Sequence, residues 1–154
     1  PILIKSKDDI NVTGIPSQKL DGTGAVFLID SGKTGSTAPM VSIFMEKMKS
    51  EGFRKMISTQ FIKHTNLCVD SFLNGDVKNL FDNTKKLSKI VLDNFKPMIP
   101  DEFHDLWKKG IDSGSYFLKL CGSGGGGYIL GFAPNIEQAK NDLKDYNLEV
   151  VYHF

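Results

Sequence analysis

The sequence is short of the features that mark a special environment. It holds only two cysteines, Cys68 and Cys121, in 154 residues. That is too few for a disulfide framework, and neither lies in a CxxC or beside a His at zinc-ligand spacing. Reduced, buried thiols in a cytoplasmic protein are the expectation. Long apolar runs are missing too. The stretch 25–29 is typical of the longest, and a bilayer span needs about 20 residues, so no membrane partner is expected. Neither sign of charge dominates: 19 Lys+Arg against 18 Asp+Glu leave a net charge of +1. Such a balance gives no global field for nucleic acid. The start, Pro1-Ile2-Leu3-Ile4-Lys5, has neither an initiator Met nor a signal peptide, so Pro1 reads as an internal cut or a processed end. There is no internal repeat and no linker that would divide the chain.

What is present fits one folded domain. Apolar residues make up 40% and charged residues 24%, which excludes disorder. A chain of this length buries roughly two thirds of its unfolded surface. The eleven Phe are spread through helical patterns and read as core. The fifteen Gly are not spread: five fall within 122–127.

The pattern along the chain changes period four times. Residues 2–4 form an apolar strand stub whose partners are expected upstream, and 11–24 read as loop. Residues 24–30 make a continuous apolar run that suits a strand buried on both faces. After a turn at 31–35, Ser36 or Thr37 can cap a helix with Pro39 in its first turn. Val41, Phe44, Met45 and Met48 line one face of that helix, and Gly52 ends it. A second helix steps through Phe53, Ile57, Phe61, Thr65, Cys68 and Phe72 to Asn74-Gly75. A third starts at an Asp76 cap and stops at Pro97. A fourth spans 101–109. Then 115–120 alternates as a strand, 122–127 is a loop, and 128–132 is a strand. A helix opened by Pro134-Asn135 and a strand over 148–154 close the chain. This order predicts an α+β fold: a mostly antiparallel sheet with helices on one face.

The glycine run is the strongest chemical signal. Each glycine in a tight loop carries an entropic penalty. Its physical use is close approach, where bare backbone N–H groups converge on an anion or admit a neighbouring segment. The spacing Gly122-x-Gly124-x-x-Gly127 also satisfies GxGxxG. However, that motif must pass from strand into helix, and here a strand follows. Gly32-Lys33-Thr34 resembles the end of a P-loop, but Phe27 stands where the pattern needs its first glycine. What survives is a polar turn leading into a helix N-terminus, suited to a phosphate or carboxylate with Lys33 nearby. Asp30, at a strand end before the polar turn, reads as a turn-capping carboxylate, with a general base as the alternative. His64, His104 and His153 are scattered and make no triad or metal pair.

Residues 119–127 read KLCGSGGGG. This resembles the third signature motif of the GHMP family of small-molecule kinases, which commonly reads KLTGAGGGG in its mevalonate-kinase branch. Residues 27–38 are similar to the strand and turn before the first C-terminal-domain helix of that branch, with Thr37 at the position of a substrate-adjacent Thr. Motifs of the type PxxxGLGSSA, the early Lys motif and the Gly-x-Asp segment do not occur here. The resemblance therefore implies a ferredoxin-like GHMP kinase C-terminal domain over 1–154, with the ATP-binding half lying before Pro1.

That resemblance implies a parent enzyme moving the γ-phosphate of ATP to a hydroxyl of mevalonate or a similar metabolite, with Mg²⁺. In that scheme Gly122, Ser123, Gly124, Gly125 and Gly126 lie beside the nucleotide, and Lys33, Ser36 and Thr37 wall the acceptor site. No catalytic base and no metal ligand is expected in this chain. The partners implied are the missing N-terminal half, the small-molecule acceptor and, as is common among similar kinases, a second copy in a homodimer. The residues alone leave one alternative open: a non-catalytic α+β module whose glycine loop binds a metabolite directly.

Overall fold

The computed structural model describes residues 2–6 and 8–154, so the reading of Pro1 lies outside the described residues. Two short strands, β1 (Ile2–Ser6) and β2 (Asp9–Val12), pair as an antiparallel hairpin apart from the main sheet. The strand expected to pair upstream thus finds its partner in the residues that follow it. Its apolar run could not reveal this, because β2 is short and opens with the polar Asp9.

The main sheet has four strands: β3 (Ala25–Asp30), β4 (Phe117–Leu120), β5 (Tyr128–Ala133) and β6 (Leu148–His153). Their order is β4-β5-β3-β6 and every pairing is antiparallel. The expected α+β class with an antiparallel sheet is therefore what the chain forms. β3 is central, which explains its unbroken apolar run: Ala25, Val26, Phe27 and Ile29 are all buried. Phe27 pairs with Gly131, and a Cβ on Gly131 would lie 2.1 Å from the Phe27 ring. Glycine is required there by contact, not by backbone angle.

Alternation divides the sheet into two faces. Ala25, Phe27, Ile29, Leu118, Leu120, Ile129 and Ala133 form one core with Trp107 and Ile111 of α5 (His104–Ser113) and with Ile136 and Ala139 of α6 (Ile136–Asp142). The other face is only partly covered.

The helices differ from expectation at their ends. α1 (Thr37–Lys47) buries no residue fully. Met40, Ile43, Phe44 and Met48 pack on the core, while Val41 and Met45 point outward at 48% and 59% exposure. On a helix apolar nearly all round, periodicity does not select the face. Gly52 does not end α1. The break comes earlier, and the Ser50 hydroxyl caps α2 (Glu51–Met56) by accepting from the Phe53 amide at 3.5 Å. The single helix expected over 53–72 is interrupted by a π-turn at Ile57–Phe61, where Ile62 N–H donates to the Ile57 carbonyl, before α3 (Ile62–Leu73). This extra residue lets Phe53 and Phe61 both reach Phe95, at ring-centroid distances of 5.5 and 5.3 Å.

α4 (Val77–Asn94) starts as expected, with Asp76 accepting from the Asn79 amide at 3.1 Å. α5 runs four residues past the expected end at Lys109, to Ser113, and stops where Gly114 turns left-handed at φ 74°. Trp107 of α5 is fully buried and donates to the Ser88 carbonyl of α4 at 3.0 Å.

Asp142 closes the last helix. Ser115 and then Lys109, at 3.1 Å, hold its carboxyl below the ordinary carboxylate range. A folded pKa lower than the unfolded value of about 3.9 contributes stability that is complete above that value. It is lost as the pH falls through the lower folded value. Asp142→Asn should therefore destabilise the chain by about 1 kcal/mol at neutral pH. Urea melts at pH 7 and in the acid range should show that difference shrinking. A difference independent of pH would mean that the carboxylate charge plays no part.

Candidate functional site

Asp30 is the last residue of β3 and pairs with Tyr128, the first of β5. The turn at 31–37 and the loop at 122–127 therefore leave the sheet side by side, though about ninety positions separate them in sequence. The turn is self-capped. Asp30 Oδ1 accepts from the Gly32 amide at 2.9 Å, Ser31 Oγ accepts from the Lys33 amide at 3.3 Å, and Gly32 sits at φ 67°. Asp30 thus does the turn-capping work expected of it.

The loop is fixed to this turn by its backbone. The Gly127 amide donates to the Lys33 carbonyl at 2.7 Å, and the Ser31 amide donates to the Gly127 carbonyl at 3.0 Å. The Gly125 amide reaches across to the Met98 carbonyl at 2.7 Å, and the Gly124 amide bonds back to Cys121 at 3.2 Å. Among the described residues, the amides of Gly122, Ser123 and Gly126 have no such acceptor.

Gly126 is the tightest point. At φ 150°, a Cβ there would stand 2.8 Å from the Gly35 nitrogen and 2.9 Å from the Lys33 carbonyl oxygen, both backbone atoms. Gly124 is similarly constrained, with the Met98 carbonyl oxygen 2.6 Å from its Cβ position. Beside Gly125 lies Met40 of α1, its sulfur 2.9 Å from a would-be Cβ. The loop, the turn and the first turn of α1 are thus one packed unit.

At the mouth of this unit α1 begins. Ser36 occupies the cap position with an extended backbone, but its hydroxyl makes no capping bond. The first-turn amides and the positive end of the helix dipole are left without a side-chain cap. Ser123 Oγ donates to Thr37 Oγ1 at 3.4 Å, joining the two expected sites directly. Lys33 does not stand free: its ammonium pairs with Glu102 Oε2 at 2.6 Å. That bond is the main cause holding the Glu102 carboxyl below its ordinary range.

Sequence reasoning missed Met98, Met40 and Glu102. Met98 acts through its carbonyl, which any residue supplies. Glu102 lies 69 positions from Lys33, and no local pattern could pair them. The histidines stay apart: His64 faces Asn83 at 2.9 Å, and His104 faces the Lys96 and Ile99 carbonyls at 3.1 Å. Among the described residues no three His, Cys, Asp or Glu side chains gather as a metal site, and no helix is long and apolar enough to cross a membrane.

No protein-family model matches the sequence, and comparison with the curated proteins finds no match. Solved structures do match in fold. The phosphomevalonate kinase of Streptococcus pneumoniae, in complex with phosphomevalonate and AMPPNP, superposes at a TM-score of 0.68 with 14% identity, over 94% of this chain and 41% of that one. The Lin0012 protein of Listeria innocua gives 0.68 with 16% identity, over 93% of this chain and 43% of that one. A second structure of the Streptococcus kinase gives 0.64 with 13% identity, over 94% and 42%. The chain thus spans about two fifths of the proteins it resembles. At these identities the likeness is one of fold, and that fold is GHMP-kinase C-terminal-like. Two of these three structures are of phosphomevalonate kinase, so the likeness supports the GHMP fold without singling out the mevalonate-kinase branch suggested by the glycine motif.

Proposed function

We propose that this chain is the C-terminal half of an ATP-dependent small-molecule kinase. In this reading the loop at 122–127 and the turn at 31–37 form one wall of the phosphoryl-transfer site. The observation that carries it is the backbone union of the two, centred on the 2.7 Å bond from Gly127 to Lys33. In this reading the glycine-rich loop and the uncapped helix N-terminus beside it supply N–H dipoles to a transferring phosphoryl group.

The roles divide by what each group has left to offer. The amides of Gly124 and Gly125 hold the loop in place, so those of Gly122, Ser123 and Gly126 are the donors available to a phosphoryl oxygen. Ser36 and Thr37 offer hydroxyls to the acceptor. Lys33, on leaving Glu102, supplies a cation for an acidic acceptor such as mevalonate or phosphomevalonate. ATP supplies the phosphoryl group and Mg²⁺ neutralises its charge when both are bound. The free amides fit a nucleotide's phosphates. Among the described residues no acidic cluster gathers for the metal, so this reading assigns its protein ligands to the upstream half. With no base in the wall, these residues act by positioning and charge stabilisation.

The chain alone should show no phosphate transfer from Mg-ATP to mevalonate, phosphomevalonate, homoserine or galactose, followed by phosphorus NMR. Co-expression with its upstream half should restore transfer to one of them. Turnover by the isolated 154 residues would overturn the reading. So would tight calorimetric binding of one of these metabolites to the isolated chain, which favours a self-sufficient ligand-binding module.

A further inference from the structure

The partly covered face of the sheet bounds a groove. Val26, Leu130 and Phe132 form its floor, and Cys68, Phe72 and Leu87 of α3 and α4 form its far wall. Its volume is about 480 Å³, within the roughly 300–1,000 Å³ of small-molecule sites. It lies on the opposite face from the α5–α6 core.

One charge faces this apolar space. Among the described residues Lys119 is the single charged side chain lining it. Lys119 pairs with Leu130, so the pleat places its stem on the same face. Its ammonium has one hydrogen bond, to the neighbouring Leu120 carbonyl at 3.2 Å, and no carboxylate partner among the described residues. An ammonium carries three donors, and among the described residues lining the groove there is no acid to take one or to attract a cationic ligand.

We propose that this groove binds a single-chain amphiphile with an anionic head, the tail lying between the sheet and α3–α4 and the head on Lys119. The proposal does not rest on the phosphotransferase reading, since it uses neither the turn at 31–37 nor the loop at 122–127, although Lys119 opens the 119–127 motif and also lines a smaller cavity beside Gly122. Apolar lining selects a tail, and the lone cation selects the sign of the head.

Cys68 provides a local readout. Its thiol is half-buried, 3.6 Å from Thr84 Oγ1, and burial pushes its pKa up. A bound tail should cover it. The probe is dodecanoate, used below its self-association concentration, with dodecanol as the uncharged comparison. Dodecanoate should bind about tenfold more tightly than dodecanol and slow alkylation of Cys68 but not of Cys121. Lys119→Met keeps the stem and should remove the preference for the acid. Val69→Trp, on the α3 wall, should weaken both probes, with circular dichroism checking that the fold is kept. Equal affinity for the two probes, an unchanged preference in Lys119→Met, or unprotected Cys68 would overturn the proposal. So would dodecanoate affinity that falls as protein concentration rises, because a second copy would then be the occupant.

Discussion

On the kinase reading proposed above, Gly126→Ala is expected to lower kcat of the complete enzyme by about a hundredfold, the scale of a 1 Å misplacement at a reacting centre. The added methyl meets the backbone of Gly35 and Lys33 at 2.8–3.0 Å, and backbone cannot swing aside as a side chain can. The residue must also hold a φ of 150°, which L residues rarely adopt. The loop must therefore lift from the turn, breaking the bond from Gly127 to Lys33 and drawing Ser123 away from Thr37. The stability cost should be smaller in proportion, about 1–3 kcal/mol. Hydrogen exchange should report lost protection at the Gly127 amide even in the isolated chain. Gly75→Ala is the matched control. It sits at φ 68° with nothing within 4 Å of its Cβ position, so it carries backbone strain without touching the loop, and its rate should equal the parent's. A kcat for Gly126→Ala within a few-fold of the parent would leave the loop a packing device only.

The second large effect concerns the frame on which this unit rests. Trp107→Ala should destabilise the chain by about 3–5 kcal/mol, as large-to-small changes at fully buried aromatics do. Trp107 is 0% exposed and ties α5 to α4 through the Ser88 carbonyl. Total stability of a domain is about 5–15 kcal/mol. At about 2–4 °C per kcal/mol for this size, Tm should fall by about 6–20 °C. Trp107 is the only tryptophan, so the melt must be followed by circular dichroism, not fluorescence. Trp107→Phe should retain most of the packing and lose mainly the bond to Ser88, at about 1–2 kcal/mol. A Tm shift below about 2 °C for the alanine variant would mean that α4 and α5 are held together by something else.

The legibility of the chain followed the range of the forces involved. The central strand, the Asp76 and Asn135 caps, the Gly75 stop and the glycine loop between two strands were readable because each is decided within a few residues. Errors gathered where a choice depended on distant partners. Periodicity could not say which side of α1 would turn inward, because that depends on where Phe53 and Phe95 lie. It could not foresee the π-turn at Ile57–Phe61, which lies beside the same aromatic cluster.

The candidate site shows the same division. Glycine content and capping chemistry are local, so residues 122–127 are legible as bare, tightly turned backbone and 31–37 as the lead into a helix start. That the two lie together, which loop amides are occupied, and that Lys33 is held by Glu102 are matters of long-range packing. Those outcomes follow from β3 and β5 pairing in register, a contact between segments about a hundred residues apart. Loop-closure entropy opposes such a contact, and only cooperative burial of the whole core overcomes it.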